Sequence, residues 1–154
     1  MNLASKILEL LYGKTLVTAE SITGGGIGSV LTGVPGSSAV YKGGIISNCD
    51  EVKASALGVT PEILLKKGAV SAEVARQMAI GAREKLKANV AVSVTGLAGP
   101  DGDEYGNPVG TVCIGYSSNE RSFTKQFRFD GDREEVRNHA IHAALTIVLE
   151  MIGE

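Results

Sequence analysis

The chain has 154 residues, of which 44% are hydrophobic, so it is long enough for one well-buried core and short for two. Its 15 basic and 17 acidic residues nearly balance, and no basic run mixed with aromatic residues occurs, which argues against duplex nucleic acid as a partner. No apolar run approaches the roughly 20 residues that cross a bilayer, and the N-terminus lacks a signal-peptide layout. We therefore expect one cytoplasmic domain, residues 1–154, with no membrane partner.

The first half of the chain predicts alternating helices and strands. Apolar residues recur at helical spacing from Leu3 to Leu11 and predict a short helix that ends at Gly13. The next predicted elements are a strand over residues 15–20, a helix over 24–31, a turn-rich loop over 33–38 and a strand over 41–47. A helix over residues 50–57, ending at Gly58, and a short helix beginning at Pro61 follow.

The second half predicts a long helix, a central strand, a hairpin and a last helix. Ser71 can cap the long helix, which extends to about residue 87. Residues 90–94 are almost all apolar, as in a strand covered on both faces. A hairpin over residues 109–116 and 122–129 precedes a helix over 133–151, for which Asp132 and Glu135 form a start signal. This order predicts a three-layer α/β/α sandwich with a mixed sheet.

Two glycine-rich loops follow predicted strands, at residues 21–26 and 95–103. Ligands bind at such positions in open α/β sheets. Gly24 and Gly25 let backbone amides approach a ligand, and the start of the next helix suits an anion. The sequence matches neither common nucleotide-binding fingerprint. The alternative is an ordinary helix start that is capped by Ser21 or Thr23.

A serine and a lysine offer a second candidate feature. Ser38 precedes the strand at 41–47, and Lys53 lies early on the helix after it, so a returning helix could place Lys53 near Ser38 or near the neighbouring loops. A serine nucleophile needs a base, and neither histidine lies in these loops, which leaves a neutral lysine with a lowered pKa. The alternative is a solvated lysine on a short helix.

Arg133 and Arg137 lie four residues apart, on one face at the start of the last helix, where positive charge opposes the helix dipole. A bound phosphate or carboxylate would remove that conflict. The alternative is pairing with the nearby acidic residues, which are Asp130, Asp132 and Glu134.

We expect no bound metal. The acidic residues of the 95–108 region could hold a divalent cation or form an exposed loop; they are Asp101, Asp103 and Glu104. His139 and His142 lack partners at metal-binding spacing. Cys49 and Cys113 stand alone, which indicates buried or free thiols rather than a disulfide or a zinc site.

Seven blocks of sequence, in order along nearly the whole chain, resemble the CinA C-terminal domain family. They are Thr18-Ala19-Glu20-Ser21-x-Thr23-Gly24-Gly25, Pro35-Gly36-Ser37-Ser38, Gly43-Gly44-Ile45-Ile46 with Lys53, Leu57-Gly58-Val59, Gly68-Ala69-Val70-Ser71, Thr95-Gly96-x-Ala98-Gly99-Pro100-Asp101-Gly102 and Pro108-Val109-Gly110-Thr111-Val112. The resemblance implies a three-layer α/β fold, in a stand-alone form, and hydrolysis of the carboxamide of nicotinamide mononucleotide to nicotinic acid mononucleotide and ammonia. That activity serves pyridine nucleotide salvage, and the family also bears a competence-damage name.

The same resemblance assigns roles to particular residues. It makes Ser38 the nucleophile and Lys53 the general base. It places substrate contacts at residues of the two glycine-rich loops and the last helix, namely Ser21, Thr23, Gly24, Gly25, Thr95, Gly96, Arg133 and Arg137. The expected ligand is a small phosphorylated nucleoside, with no cofactor, and we expect a homo-oligomer, most simply a dimer.

One departure from the family pattern bears on activity. The family usually has a tyrosine, in a Tyr-Ser-Asn-Glu-Ala-Lys-like stretch, where this chain has Asn48-Cys49-Asp50-Glu51-Val52-Lys53. Asn48 has no phenolic proton, although its amide can orient Ser38 or the substrate, and Tyr41 is a possible substitute. The rival hypothesis is therefore a catalytically silent module that binds a mononucleotide.

Overall fold

A computed structural model describes residues 2–153. In chain order, its elements are α1 (Leu3–Leu10), β1 (Leu16–Glu20), α2 (Gly26–Thr32), a 3₁₀ turn (Ser37–Ala39), β2 (Tyr41–Ile46), α3 (Asp50–Leu57), α4 (Pro61–Lys67), α5 (Ala72–Lys85), β3 (Val90–Gly96), β4 (Thr111–Ser118), β5 (Ser122–Arg128) and α6 (Arg133–Ile152).

The five strands form one mixed sheet in the order β2-β1-β3-β4-β5. β1 is parallel to both β2 and β3, whereas β4 is antiparallel to β3 and β5. Apolar residues of α1, α2 and α6 pack on one face of the sheet, and those of α3, α4 and α5 pack on the other. The predicted three-layer α/β/α sandwich is confirmed.

Side chains on β1 and β3 explain why these two strands lie in the centre. All five residues of β1 are buried, and so are the first six of β3. Alternate residues of β1 enter opposite cores, because Leu16 packs with α1, α2 and α6 while Val17 packs with α5. The prediction of a strand covered on both faces is confirmed for β3.

Local sequence signals set several helix starts as predicted. Asp132 and Glu135 form a complete capping box, in which each side chain accepts a hydrogen bond from the other residue's backbone N–H, at 2.9 and 3.0 Å. Ser71 Oγ accepts from the N–H of Val74 at 3.1 Å, and Pro61 occupies the first turn of α4.

The structure corrects several element boundaries. α1 ends at Leu10 with Leu11 as its cap, so Gly13 belongs to the following turn. α2 begins at Gly26 because Gly24 and Gly25 have φ values of 59° and 97°, which a right-handed helix excludes. β4 begins at Thr111, and the end of the 33–38 loop forms part of the 3₁₀ turn. Within residues 2–153, no helix is both long and apolar enough to span a membrane.

Candidate active site

The direction of the strands brings three chain segments to one edge of the sheet. β1, β2 and β3 are parallel, so their carboxyl ends at Glu20, Ile46 and Gly96 share an edge. Ser21 follows β1 directly. α3 begins four residues after β2, which puts Lys53, in its first turn, at this carboxyl edge too.

Lys53 joins the segments that follow β1 and β2. Its Nζ lies 3.1 Å from Ser21 Oγ and donates to the carbonyl oxygen of Ser47 at 2.8 Å. Only 2% of the Lys53 surface is exposed. Because a neutral amine can both donate and accept hydrogen bonds, this geometry suits proton exchange between the Ser21 hydroxyl and the lysine.

The surroundings of Lys53 favour the neutral amine. Burial lowers its pKa from the ordinary value of 10.5, and the nearby Asp50 carboxyl and Cys49 thiol oppose that shift in part. No ion pair to Lys53 is present among residues 2–153. The solvated lysine that the sequence left open as an alternative is therefore excluded.

A cleft of about 250 Å³ opens beside this pair. Six of the residues predicted for the site line it, and they are Ser21, Asn48, Lys53, Thr95, Gly96 and Arg133. Thr95 is buried, and its Oγ1 donates to the carbonyl oxygen of Ala69 at 2.8 Å, which ties β3 to the segment before α5. Asn48 is exposed at the rim.

Ser38 does not meet Lys53. It lies in the 3₁₀ turn before β2, whereas Lys53 follows that strand. The six residues of β2 separate the two by about 20 Å along the strand direction. The predicted Ser38–Lys53 pair is thus corrected: Lys53 meets Ser21 at the carboxyl edge, and Ser38 stays at the amino edge.

The expected anion site at the start of α2 is filled by the protein itself. The buried Glu20 carboxylate accepts from the Thr23 hydroxyl at 2.7 Å and from the backbone N–H groups of Ile27 and Gly28 at 2.9 and 3.0 Å. These are the amides that the helix would offer to a ligand. Thr23 therefore supports the turn rather than contacting the cleft.

Gly24 and Gly25 also serve the shape of this turn. A Cβ on Gly24 would lie 3.2 Å from the Arg137 guanidinium, and one on Gly25 would lie 3.1 Å from the Ile46 side chain. Neither residue lines the cleft. The predicted ligand contacts of Thr23, Gly24 and Gly25 are not part of this site.

The two arginines at the start of α6 have different partners. Arg137 donates to the carbonyl oxygens of Ile22 and Thr23 at 3.0 and 3.3 Å, so it braces the turn that carries Ser21 and does not line the cleft. Arg133 lines the cleft and uses one nitrogen to bind the Gly99 carbonyl at 2.8 Å. Neither pairs with an acidic residue in the described part of the chain.

Tyr41 does not take the place of the family tyrosine. Its hydroxyl lies 2.8 Å from Thr18 Oγ1 inside the sheet, at the first residue of β2. Burial raises the pKa of Tyr41, the Thr18 hydrogen bond opposes that rise, and Glu20 adds to it. The side chain does not line the cleft.

Two of the remaining polar candidates, Asp103 and His139, have structural partners. Asp103 accepts hydrogen bonds from the backbone and side chain of Asn107 and from the backbone of Tyr105. His139 stacks on Phe129 at 5.3 Å between ring centroids. Both cysteines are free, and no group of three or more metal-ligating side chains occurs within residues 2–153.

Sequence reasoning missed three residues around the pair. Glu20 anchors the turn, Ser47 supplies the carbonyl that holds Lys53, and Asp50 lines the cleft. The Ser47 hydroxyl is buried without a partner in the described chain. Glu20 and Ser47 are the last residues of two predicted strands, and Asp50 follows the second of these by three residues. Their position at the strand ends was therefore the signal that could have identified them as site residues.

The fold and the site define an α/β domain with a buried lysine and a serine paired in a cleft at the carboxyl edge of its sheet. The CinA C-terminal domain family model matches residues 1–152. The chain belongs to this family, as its sequence motifs predicted.

Relatives from three organisms show how widely the family resemblance extends. A protein of Pseudomonas putida named nicotinamide-nucleotide amidohydrolase PncC is 43% identical over 153 residues, covering 97% of this chain and 95% of that protein. A CinA-like protein of Frankia casuarinae is 44% identical over 99% of this chain. The chain spans about a third of the length of the CinA-like proteins of Frankia and Thermosynechococcus, at 35% and 32%.

Solved structures share the fold over nearly the full chain. A competence damage-inducible protein A from Klebsiella pneumoniae has a TM-score of 0.96 and 34% identity, covering 99% of this chain and 96% of its own. A competence/damage inducible protein from Agrobacterium tumefaciens has a TM-score of 0.93 and 38% identity, covering 99% and 94%.

Proposed function

We propose that this chain hydrolyses the carboxamide of nicotinamide mononucleotide, giving nicotinic acid mononucleotide and ammonia, with Ser21 as nucleophile and Lys53 as general base. One observation carries the proposal: a lysine that is 2% exposed lies 3.1 Å from a serine hydroxyl in an open cleft. The relative from Pseudomonas putida, named for this activity, supports the choice of substrate.

Acylation begins when neutral Lys53 removes the proton from Ser21 Oγ as that oxygen attacks the carboxamide carbon. The carbon–nitrogen bond then breaks, and the nitrogen takes the proton from Lys53 and leaves as ammonia. An ester links Ser21 to the substrate. Burial of Lys53 supports this step, because the lysine must be uncharged at the start of each turnover.

Deacylation uses the same base. Lys53 removes a proton from water as its oxygen attacks the ester carbon, and the carbon–Oγ bond breaks. The proton returns from Lys53 to Ser21, and the product leaves as nicotinic acid mononucleotide. Serine and lysine thereby regain their starting states, and no cofactor enters the balance.

Two further features fit a phosphorylated substrate. Arg133 lines the cleft and holds Gly99 with one nitrogen, which leaves guanidinium donors for a phosphate. Ile22 and Ala98 line the cleft, and their backbone amides, which have no acceptor in the described chain, are candidates for an oxyanion hole. Such a donor is worth about 2.7 to 4 kcal/mol in a studied protease.

The direct test is to incubate purified protein with nicotinamide mononucleotide and to measure ammonia, while calorimetry measures binding. We expect ammonia release that Ser21→Ala abolishes without loss of binding. Binding without turnover by the unaltered protein would overturn the proposal in favour of the silent mononucleotide-binding module. If the unaltered protein neither binds nor hydrolyses nicotinamide mononucleotide, both the amidohydrolase and the binding-module hypotheses are overturned.

A further inference from the structure

The candidate cleft continues into a neighbouring cavity of about 290 Å³. The two share a wall formed by Asp50, Ala69, Val70 and Leu97. Arg133 lines only the first cavity, whereas Glu104 lines only the second. The charge of the walls therefore changes from mixed at the Arg133 end to acidic beyond Asp50.

Asp50 stands at the junction of the two cavities, beside the reactive pair. It is the first residue of α3, and Lys53 lies three positions later, so the two side chains project from the same side of the helix. The Asp50 side chain is exposed and forms no ion pair and no side-chain hydrogen bond within residues 2–153. Asp103, in contrast, is bound by Asn107 and the Tyr105 amide.

A carboxylate that makes no hydrogen bond or ion pair, next to a carboxamide-binding centre, can discriminate between substrates by charge. We propose that Asp50 determines specificity, favouring carboxamides carried on a cationic ring, such as a quaternary pyridinium, over the same carboxamides on a neutral ring. This inference rests on the proposed function, since it assumes that the carboxamide reaches Ser21 while a phosphate binds Arg133.

The expected size of the effect follows from Coulomb's law. Two unit charges a few ångströms apart in a hydrated cleft attract by about 1 kcal/mol, which corresponds to about fivefold in affinity. A neutral ring gains nothing from the carboxylate. Asp50 also raises the pKa of Lys53, but that influence acts on the base and is therefore the same for both kinds of ring.

Asp101 offers a matched comparison within the cleft. It lines the first cavity only and lies two residues from Gly99, whose carbonyl binds Arg133. Asp101 therefore belongs to the end where we place the phosphate. Its negative charge opposes phosphate binding equally for cationic and neutral rings, so its removal should leave ring selectivity unchanged.

The test compares nicotinamide mononucleotide with its reduced form, whose dihydropyridine ring is neutral. The kcat/KM for ammonia release is measured for both compounds with the unaltered protein, Asp50→Asn, Asp101→Asn and Glu51→Gln. Glu51 is exposed in the same helix turn and does not line either cavity. A change in the basicity of Lys53 affects both compounds equally, so it cancels in the ratio of their kcat/KM values.

We expect Asp50→Asn to lower the cationic-to-neutral ratio about fivefold, and the two control variants to leave it within about twofold. An unchanged ratio in Asp50→Asn, or an equal fall in either control variant, would overturn the inference. If the unaltered protein releases no ammonia, the proposed function fails. The ratio of calorimetric Kd values for the two compounds, in the protein and in Asp50→Asn, then decides the role of Asp50, and absence of binding to both overturns it.

Discussion

The two edges of the sheet each carry hydroxyl side chains, yet only one edge has the setting for chemistry. At the carboxyl edge, Ser21 lies 3.1 Å from the buried amine of Lys53 and borders a cleft. At the amino edge, Ser38 sits in a short 3₁₀ turn with no lysine or histidine hydrogen-bonded to it in the described chain. Strand direction, rather than distance along the sequence, decides which serine meets Lys53.

The largest expected contrast is between the two serines. Ser21→Ala should lower kcat for ammonia release by at least about 10³-fold, because the attacking oxygen is lost. Ser38→Ala should change it by no more than about twofold. The measurement is steady-state ammonia production, with thermal unfolding to show that both variants fold. Equal losses in both variants would remove the distinction between the edges.

Two lysines near opposite ends of β2 provide the second contrast, Lys42 within the strand and Lys53 after it. Lys53→Met should lower kcat about 10² to 10⁴-fold, since a general base is lost. Lys42→Met, at the amino end of β2, removes exposed hydrogen bonds to the Leu86 and Lys87 carbonyl oxygens and should leave kcat unchanged.

The pH dependence of kcat/KM tests the same base. Activity should fall as the pH drops through the pKa of Lys53, because the protonated amine cannot accept the Ser21 proton. Burial places that pKa below 10.5, so the acidic limb should lie below the ordinary lysine range. If Lys42→Met shifted the acidic limb of the profile, the assignment of that limb to Lys53 would be contradicted.

The third contrast concerns stability at the carboxyl edge. Glu20→Ala removes the acceptor for the Thr23 hydroxyl and the Ile27 and Gly28 amides, and it should lower the free energy of unfolding by about 3 kcal/mol or more. Glu20→Gln keeps an acceptor oxygen and should cost less. Urea unfolding measures both, and a loss below about 1 kcal/mol in Glu20→Ala would show that water replaces the carboxylate.

The smallest expected effect lies at the amino end of β2. Tyr41→Phe removes the hydrogen bond to the buried Thr18 hydroxyl and should cost about 1 kcal/mol of unfolding free energy. It should leave ammonia release unchanged, because Tyr41 does not border the cleft. A large loss of activity in this variant would instead give the phenol a part in the chemistry.

Much of the fold was predictable because its signals are local. The apolar run of β3, the cap of α6 at Asp132 and the proline that opens α4 each depend on a few neighbouring residues. The family motifs also identified Lys53, Thr95 and Arg133, which do meet at the cleft. The three-layer fold followed from the local signals, and the family membership followed from the motifs.

The sequence allowed Lys53 to lie near Ser38 or near the neighbouring loops, and the choice of Ser38 was wrong because the partner depends on how separate strands align. Parallel pairing of β1 and β2 puts Ser21 and the start of α3 at the same edge. The positions of Ser21 just after a predicted strand and Lys53 just after another contained this information. The contact of Glu20 with the start of α2 was harder to predict, because a carboxylate that binds the backbone of the next helix produces no periodic sequence pattern.

The occupation of the α2 start by Glu20 has a consequence for how substrate choice can change over evolution. Because Glu20 already occupies the Ile27 and Gly28 amides, the start of α2 is not available to an anion that enters the cleft. Under the proposed function, contact with the phosphate falls to Arg133 on α6, a separate element. Under that proposal, substitutions of Arg133 change ligand preference, while Arg137 continues to hold the turn that carries Ser21.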